Sequence, residues 1–233
     1  MKMFKSLGSV LGLIIATVIG LAIFVQPANA IGILDFGIES PTAGSIAYLV
    51  NGGPLVGTNI EVDNVGGIGT AFHDGGVPLV ITGGLLNFTT GNLTDTTVDR
   101  WNFGGGTSSS IVLTGGIPAL GIADGTILFQ GSFGAATVIT FGETFGIAGS
   151  SFTDSKNLTL ADYFGFDLTL PGWAGNFNIS FNADGLPPLT FSSDTVLSGD
   201  IPNTPVPEPA SLLLLGSGLI AIVGFSRSRM FGK

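Results

Sequence analysis

In Phe177-Asn178-Ile179-Ser180-Phe181-Asn182, apolar and polar residues alternate without a break. Side chains of an extended chain point to opposite faces in turn, so this stretch is a strand with one apolar and one polar face. Phe164, Phe166, Leu168 and Leu170 set up the same alternation over 164–170. Short runs rich in β-branched and aromatic residues recur at 45–50 (SIAYLV), 59–63 (NIEVD), 78–82 (PLVIT), 85–90 (LLNFTT), 110–114 (SIVLT), 126–130 (TILFQ), 136–141 (ATVITF) and 189–193 (LTFSS). Such runs favour strands. Gly83-Gly84 and Gly115-Gly116 supply the positive φ of hairpin turns, and Asn51-Gly52, Asp74-Gly75, Asp124-Gly125 and Asp184-Gly185 add turn signals. The pattern predicts one all-β domain over 31–200, an antiparallel β-sandwich or jelly roll. The echo between LVITGG (79–84) and IVLTGG (111–116) has no third copy; a β-solenoid stays an alternative, and an outer-membrane barrel is a weaker one because the strands are short.

The two ends break this pattern. Residues 1–30 carry Lys2 and Lys5, then an apolar stretch from Leu7 to Val25, Pro27, and Ala28-Asn29-Ala30. That order predicts a helical signal peptide cut by signal peptidase after Ala30, with Ala28 and Ala30 forming the small-residue site. At the other end, residues 210–225 are apolar. As a helix they reach roughly 24 Å at about 1.5 Å per residue, a marginal transmembrane span. Arg227, Arg229 and Lys233 follow and mark the cytoplasmic side, so 210–233 reads as a membrane helix with a basic stop. Between body and helix, 201–209 holds Pro202, Pro205, Pro207 and Pro209. Each fixes its own φ, which predicts an extended linker outside any sheet that presents Glu208 between two rings.

Pro207-Glu208-Pro209, the apolar helix and the Arg-bearing tail together resemble the PEP-CTERM sorting signal of Gram-negative bacteria. The resemblance implies processing by an exosortase, a membrane protease or transpeptidase that removes the tail during export. It also implies an association with exopolysaccharide and biofilm. The protein would then cross the inner membrane, be held transiently by its C-terminal helix, and end at the cell surface or outside the cell.

Composition narrows the chemistry of the body. Its mean hydropathy is raised by the two ends (+0.58 for the whole chain), while Ile31 to Val206 holds 15 of the 16 acids and only Arg100 and Lys156 as bases. A net charge of −13 there repels phosphate, which excludes nucleic acid as a partner. Cysteine is absent, so neither disulfides nor thiolate chemistry is available. The single histidine, His73, beside Asp74-Gly75, reads as a turn residue, with no G-x-S-x-G elbow to make it a triad member. Glu61 with Asp63, and Asp95 with Asp99, are the acid pairs a glycosidase would need in a cleft, but in IEVD the acids share the polar face opposite Ile60 and Val62. Oxygen-rich turns suit Ca²⁺, the one metal to consider, yet no complete binding loop occurs and no ligands can be named. Trp101 and Trp173 could stack on sugar rings, or fill the core. The sequons at Asn87, Asn92, Asn157 and Asn178 fall in turns and strands. The expectation is therefore a non-enzymatic surface or matrix protein with a structural or adhesive role and no required cofactor. The alternatives are a carbohydrate-binding module using the tryptophans and, more remotely, a secreted hydrolase.

Overall fold

The structure, a computed structural model, describes residues 32–40, 42–169 and 172–206. The expected signal segment and everything from Pro207 onward lie outside the described residues, including the expected flanking helices. Within these residues no helix is long and apolar enough to cross a membrane.

The strands follow one another as eight successive passes of the chain. The first holds β1 (Ile33–Ile38) and β2 (Ser45–Tyr48), the second β3 (Pro54–Glu61) and β4 (Asn64–Ile68). The third is β5 (Leu79–Val80) and β6 (Thr82–Thr96), and the fourth β7 (Arg100–Gly104) and β8 (Ser110–Ile117). Two long strands, β9 (Ile122–Phe141) and β10 (Thr144–Lys156), make the fifth and sixth. The seventh is β11 (Trp173–Gly175) and β12 (Asn178–Asn182), and the eighth β13 (Phe191–Ser193) and β14 (Val196–Pro205).

Every pass pairs antiparallel with the next, from first with second through second with third, third with fourth, fourth with fifth, fifth with sixth, sixth with seventh and seventh with eighth. The eighth then returns to the first: β14 pairs with β1, and β13 with β2. The all-β antiparallel expectation is met. The arrangement is neither two stacked sheets nor a jelly roll but one sheet closed as a meander. Short links make neighbours in sequence neighbours in the sheet, and closure removes the exposed edges that a sandwich keeps.

Alternation fills the inside of this ring. Leu34, Phe36, Phe88, Trp101, Phe103, Phe129, Phe145, Ile147, Phe177, Phe181 and Ile201 are all buried in one core. Rings from opposite sides of the closed sheet touch: Phe36 and Phe129 at 5.2 Å between centroids, Phe88 and Phe177 at 5.2 Å, Trp101 and Phe191 at 4.9 Å. First meets fifth, third meets seventh, fourth meets eighth. An eight-stranded barrel has an interior just wide enough for side chains to fill, and here they do.

Several turn expectations shift once the pairing is known. Asn51-Gly52 joins β2 to β3, with Gly52 at φ +77°, as expected. Gly83-Gly84, within β6, and Asp124-Gly125, within β9, instead lie inside single passes at interruptions of their register with β8, and Gly83 and Gly125 take φ of +55° and +76°. Gly115-Gly116 lies within β8, and its chain turns only afterwards at Pro118–Leu120. These glycines make bulges that bend long strands round the ring.

The expected strand over 164–170 is absent from its described part, 164–169. Asn157 caps a short helix, α1 (Leu158–Tyr163), by accepting from the Leu160 N–H at 3.2 Å, and Leu160 and Ala161 face the core. Phe164 ends it and Gly165 turns away at φ +76°. Asp167 then accepts from the Thr169 N–H and hydroxyl, holding a turn. Local capping outweighs the alternation of Phe164, Phe166 and Leu168.

The proline stretch also departs from expectation. Ile201 to Pro205 belongs to β14, paired with β1 on one side and β11 on the other, so the body does not stop at residue 200. The Pro202 carbonyl accepts from the Asn176 N–H at 3.0 Å, while proline has no N–H to return the bond. That missing rung falls where β11 gives way to β12. Pro205 has its N-side beyond Ile33, the start of β1. The ring thus admits both prolines at breaks in its ladders.

Candidate functional site

One group of polar side chains lies inside the apolar ring. On β10, Phe152, Asp154 and Lys156 point inward in step, and on β14 Ile201 and Asn203 do the same. Asp154 and Lys156 expose 0% and 1% of their side chains, and Asn203 is fully buried. The Lys156 ammonium donates to Asp154 Oδ1 and to Asn203 Oδ1, the latter at 2.8 Å. Asn203 Nδ2 donates to the Ile201 carbonyl at 2.7 Å. Because that carbonyl can only accept, it fixes which side of the amide faces Lys156. Aromatic rings enclose the ammonium, with Phe129 at 4.5 Å and Trp173 at 5.3 Å to their centroids.

Burial works against charge here. Desolvation lowers the Lys156 pKa to about 8 even with Asp154 alongside, and desolvation raises that of Asp154 despite the pull of Lys156. Both shifts bring the neutral amine and carboxylic acid closer in energy to the ammonium and carboxylate. Asp154 Oδ2 is buried with no hydrogen-bond partner. A buried ion pair gives little net stability, since desolvation offsets attraction. Lys156 borders a pocket of about 110 Å³ that is also lined by Ala161, Asp167, Gly172 and Trp173.

The residues that sequence reasoning favoured fall elsewhere. Trp101 is fully buried, its Nε1 donating to the Leu189 carbonyl at 3.1 Å. Trp173 is 6% exposed and packs against Phe166 at 4.7 Å. Neither offers a face for a sugar ring; both are core, because their large apolar area is best spent inside. His73 sits in the loop between β4 and β5 at φ +57° and stacks on Tyr163 at 3.9 Å, while Asp74 accepts from the Gly69 N–H at 2.6 Å. Glu61 is exposed and Asp63 half-buried, opposite fully buried Ile60 and Val62, and Asp63 Oδ2 accepts from the Glu39 N–H at 2.7 Å. Asp99 binds Thr97 and Arg100 at the surface, and those hydrogen bonds hold its pKa low. Among the described residues no three of His, Cys, Asp or Glu converge as a metal site. Ala28, Ala30, Pro207, Glu208, Pro209, Arg227, Arg229 and Lys233 lie outside the described residues.

Residues 205–229 match the family model of the PEP-CTERM protein-sorting motif. This chain carries a PEP-CTERM sorting motif. The motif indicates an exported protein sorted to the cell surface by an exosortase in a Gram-negative bacterium. Its first residue, Pro205, is also the last residue of β14, so the PEP-CTERM signal starts where the barrel ends. No curated protein and no solved structure matches the chain.

Proposed function

We propose that the barrel is a non-catalytic structural or adhesive component of the extracellular matrix, delivered by its PEP-CTERM tail and associated there with exopolysaccharide. The sorting motif carries this reading. It is supported by an interior filled with aromatic side chains, which leaves the outer surface as the place where partners act. That surface bears nearly all the acids, which suits a hydrated, cation-bridged matrix. On this view signal peptidase removes the N-terminal segment, the C-terminal helix holds the protein briefly, and the exosortase frees it. The test is fractionation of a biofilm-forming host. Wild-type protein is expected in the washed matrix, and deletion of its gene should weaken matrix cohesion. Protein recovered only in the membrane, with cohesion unchanged by deletion, would refute the matrix role.

A further inference from the structure

Lys156 and Asn203 are 47 residues apart in sequence, on strands separated by β11, yet their side chains meet in the core. We propose that they form an intramolecular amide, Lys156 Nζ to Asn203 Cγ, with loss of ammonia and with Asp154 as the proton carrier.

Three conditions make this reaction feasible, and the cluster meets each. The nucleophile must be a free amine beside its target. Lys156 Nζ is 2.8 Å from Asn203 Oδ1, and the Ile201 carbonyl holds the amide with its C=O towards that nitrogen. The amine must be neutral when it attacks, and desolvation lowers the Lys156 pKa to about 8, which raises the share of free amine, while Asp154 alongside can accept the proton. Water must be excluded, since it would compete for the carbonyl; the rings of Phe129, Phe36 and Trp173 surround the nitrogen.

The step balances without an oxidant or co-reactant. The Nζ lone pair attacks Cγ, forming the new C–N bond. Asp154, protonated by the former ammonium, delivers its proton to Nδ2 and takes one from the attacking Nζ. The Cγ–Nδ2 bond then breaks, ammonia leaves, and Asp154 ends in the protonation state in which it entered the attack. Asp154 Oδ2, buried without a partner, is the spare oxygen such a relay needs. The pocket that Lys156 lines together with Gly172 and Trp173 gives ammonia a way out.

Such a bond would serve a protein with no cysteine and hence no disulfide. Its position matters as well. Asn203 is two residues before the sorting motif begins. Any tension on the C-terminus would enter at β14 and peel the closing strand from β1 and β11. A covalent link from Asn203 to β10 would hold that strand in place.

The test is mass spectrometry of the full-length chain, made in a host without the sorting enzyme. We expect a mass lower by one ammonia and, after digestion, a branched peptide joining the segments that contain Lys156 and Asn203. Lys156 and Asn203 in ordinary linear peptides would overturn the proposal. So would an ammonia loss confined to a linear peptide, the mark of simple succinimide formation at Asn203. Asp154→Asn, which keeps the side-chain shape, is expected to lose the branched peptide while retaining a β-rich spectrum; linkage as fast as in wild type would overturn the role of Asp154. If that variant does not fold, the wild-type peptide map still decides whether the bond exists.

Discussion

Asp35 lies on the outer side of β1, between inward-facing Leu34 and Phe36, with Asp200 diagonally across on β14. Burial, and then the Asp200 charge, raise its pKa above the ordinary 3.8, and one of its oxygens is buried without a partner. The folded state therefore holds the Asp35 proton at a pH where the unfolded chain has lost it. Its contribution favours folding as pH falls through the raised value, and at neutral pH the ionised group weakens the fold. Asp35→Asn is expected to raise the melting temperature at pH 7, with the gain shrinking as the buffer is acidified towards pH 4. An unchanged or lower melting temperature at pH 7 would contradict this. The inward polar residues of β10 could have been read from the sequence. Phe152, Asp154 and Lys156 are in step at period two, so once Phe152 faces the core the other two must follow. What hid them is that a period-two polar run usually marks a solvent face. Nothing in the sequence pairs Lys156 with Asn203, which depends on the ring closing.

At the scale of elements, alternation located some strands, including 177–182 and 110–114, but gave no run for β1, β4, β7, β10 or β14, split β9 in two, and placed turns poorly. Adjacent glycines permit either a turn or a bulge, and which one forms depends on the partner strand. Glycine has a second use here. Gly175 on β11 faces Phe152 on β10, and a Cβ at Gly175 would come within 2.0 Å of the Phe152 ring. Gly175→Ala should therefore force that ring from the core and cost about 1–3 kcal/mol, the usual range for overpacking, as read by denaturant unfolding. Stability equal to wild type would show that the ring has room. For α1, Asn157→Ala removes the cap and should cost about 1 kcal/mol. The helix was missed because the Phe164–Leu170 alternation drew attention from the cap just before it.

Closure governs the whole molecule. Because the eighth pass pairs with both the seventh and the first, the body should fold as one unit and fail without its last strand. Residues 31–206 expressed alone should be soluble and β-rich by circular dichroism without added metal. The same fragment ended at residue 195 should lose cooperative unfolding, and a sharp transition in it would argue against a closed ring. The acidic exterior makes a second statement at this scale. With 15 acids and two bases in the body, repulsion keeps the barrels apart at low salt. Millimolar Ca²⁺ should promote self-association in light scattering; a constant monomer size would weigh against cation bridging in the matrix. The sorting motif was legible, since it is a local pattern. Closure was not, because it is set by pairings between the two ends of the body.

The central claim is that an exosortase delivers this barrel by removing a tail that begins at its last strand. The direct test is the intact mass and C-terminal sequence of the mature protein recovered from outside the producing cell. The account predicts a chain that retains the barrel through β14 and has lost the basic end at Lys233, and a Glu208→Ala chain that stays full-length in the membrane. Extracellular protein still ending at Lys233, or Glu208→Ala protein shortened like wild type, would contradict it.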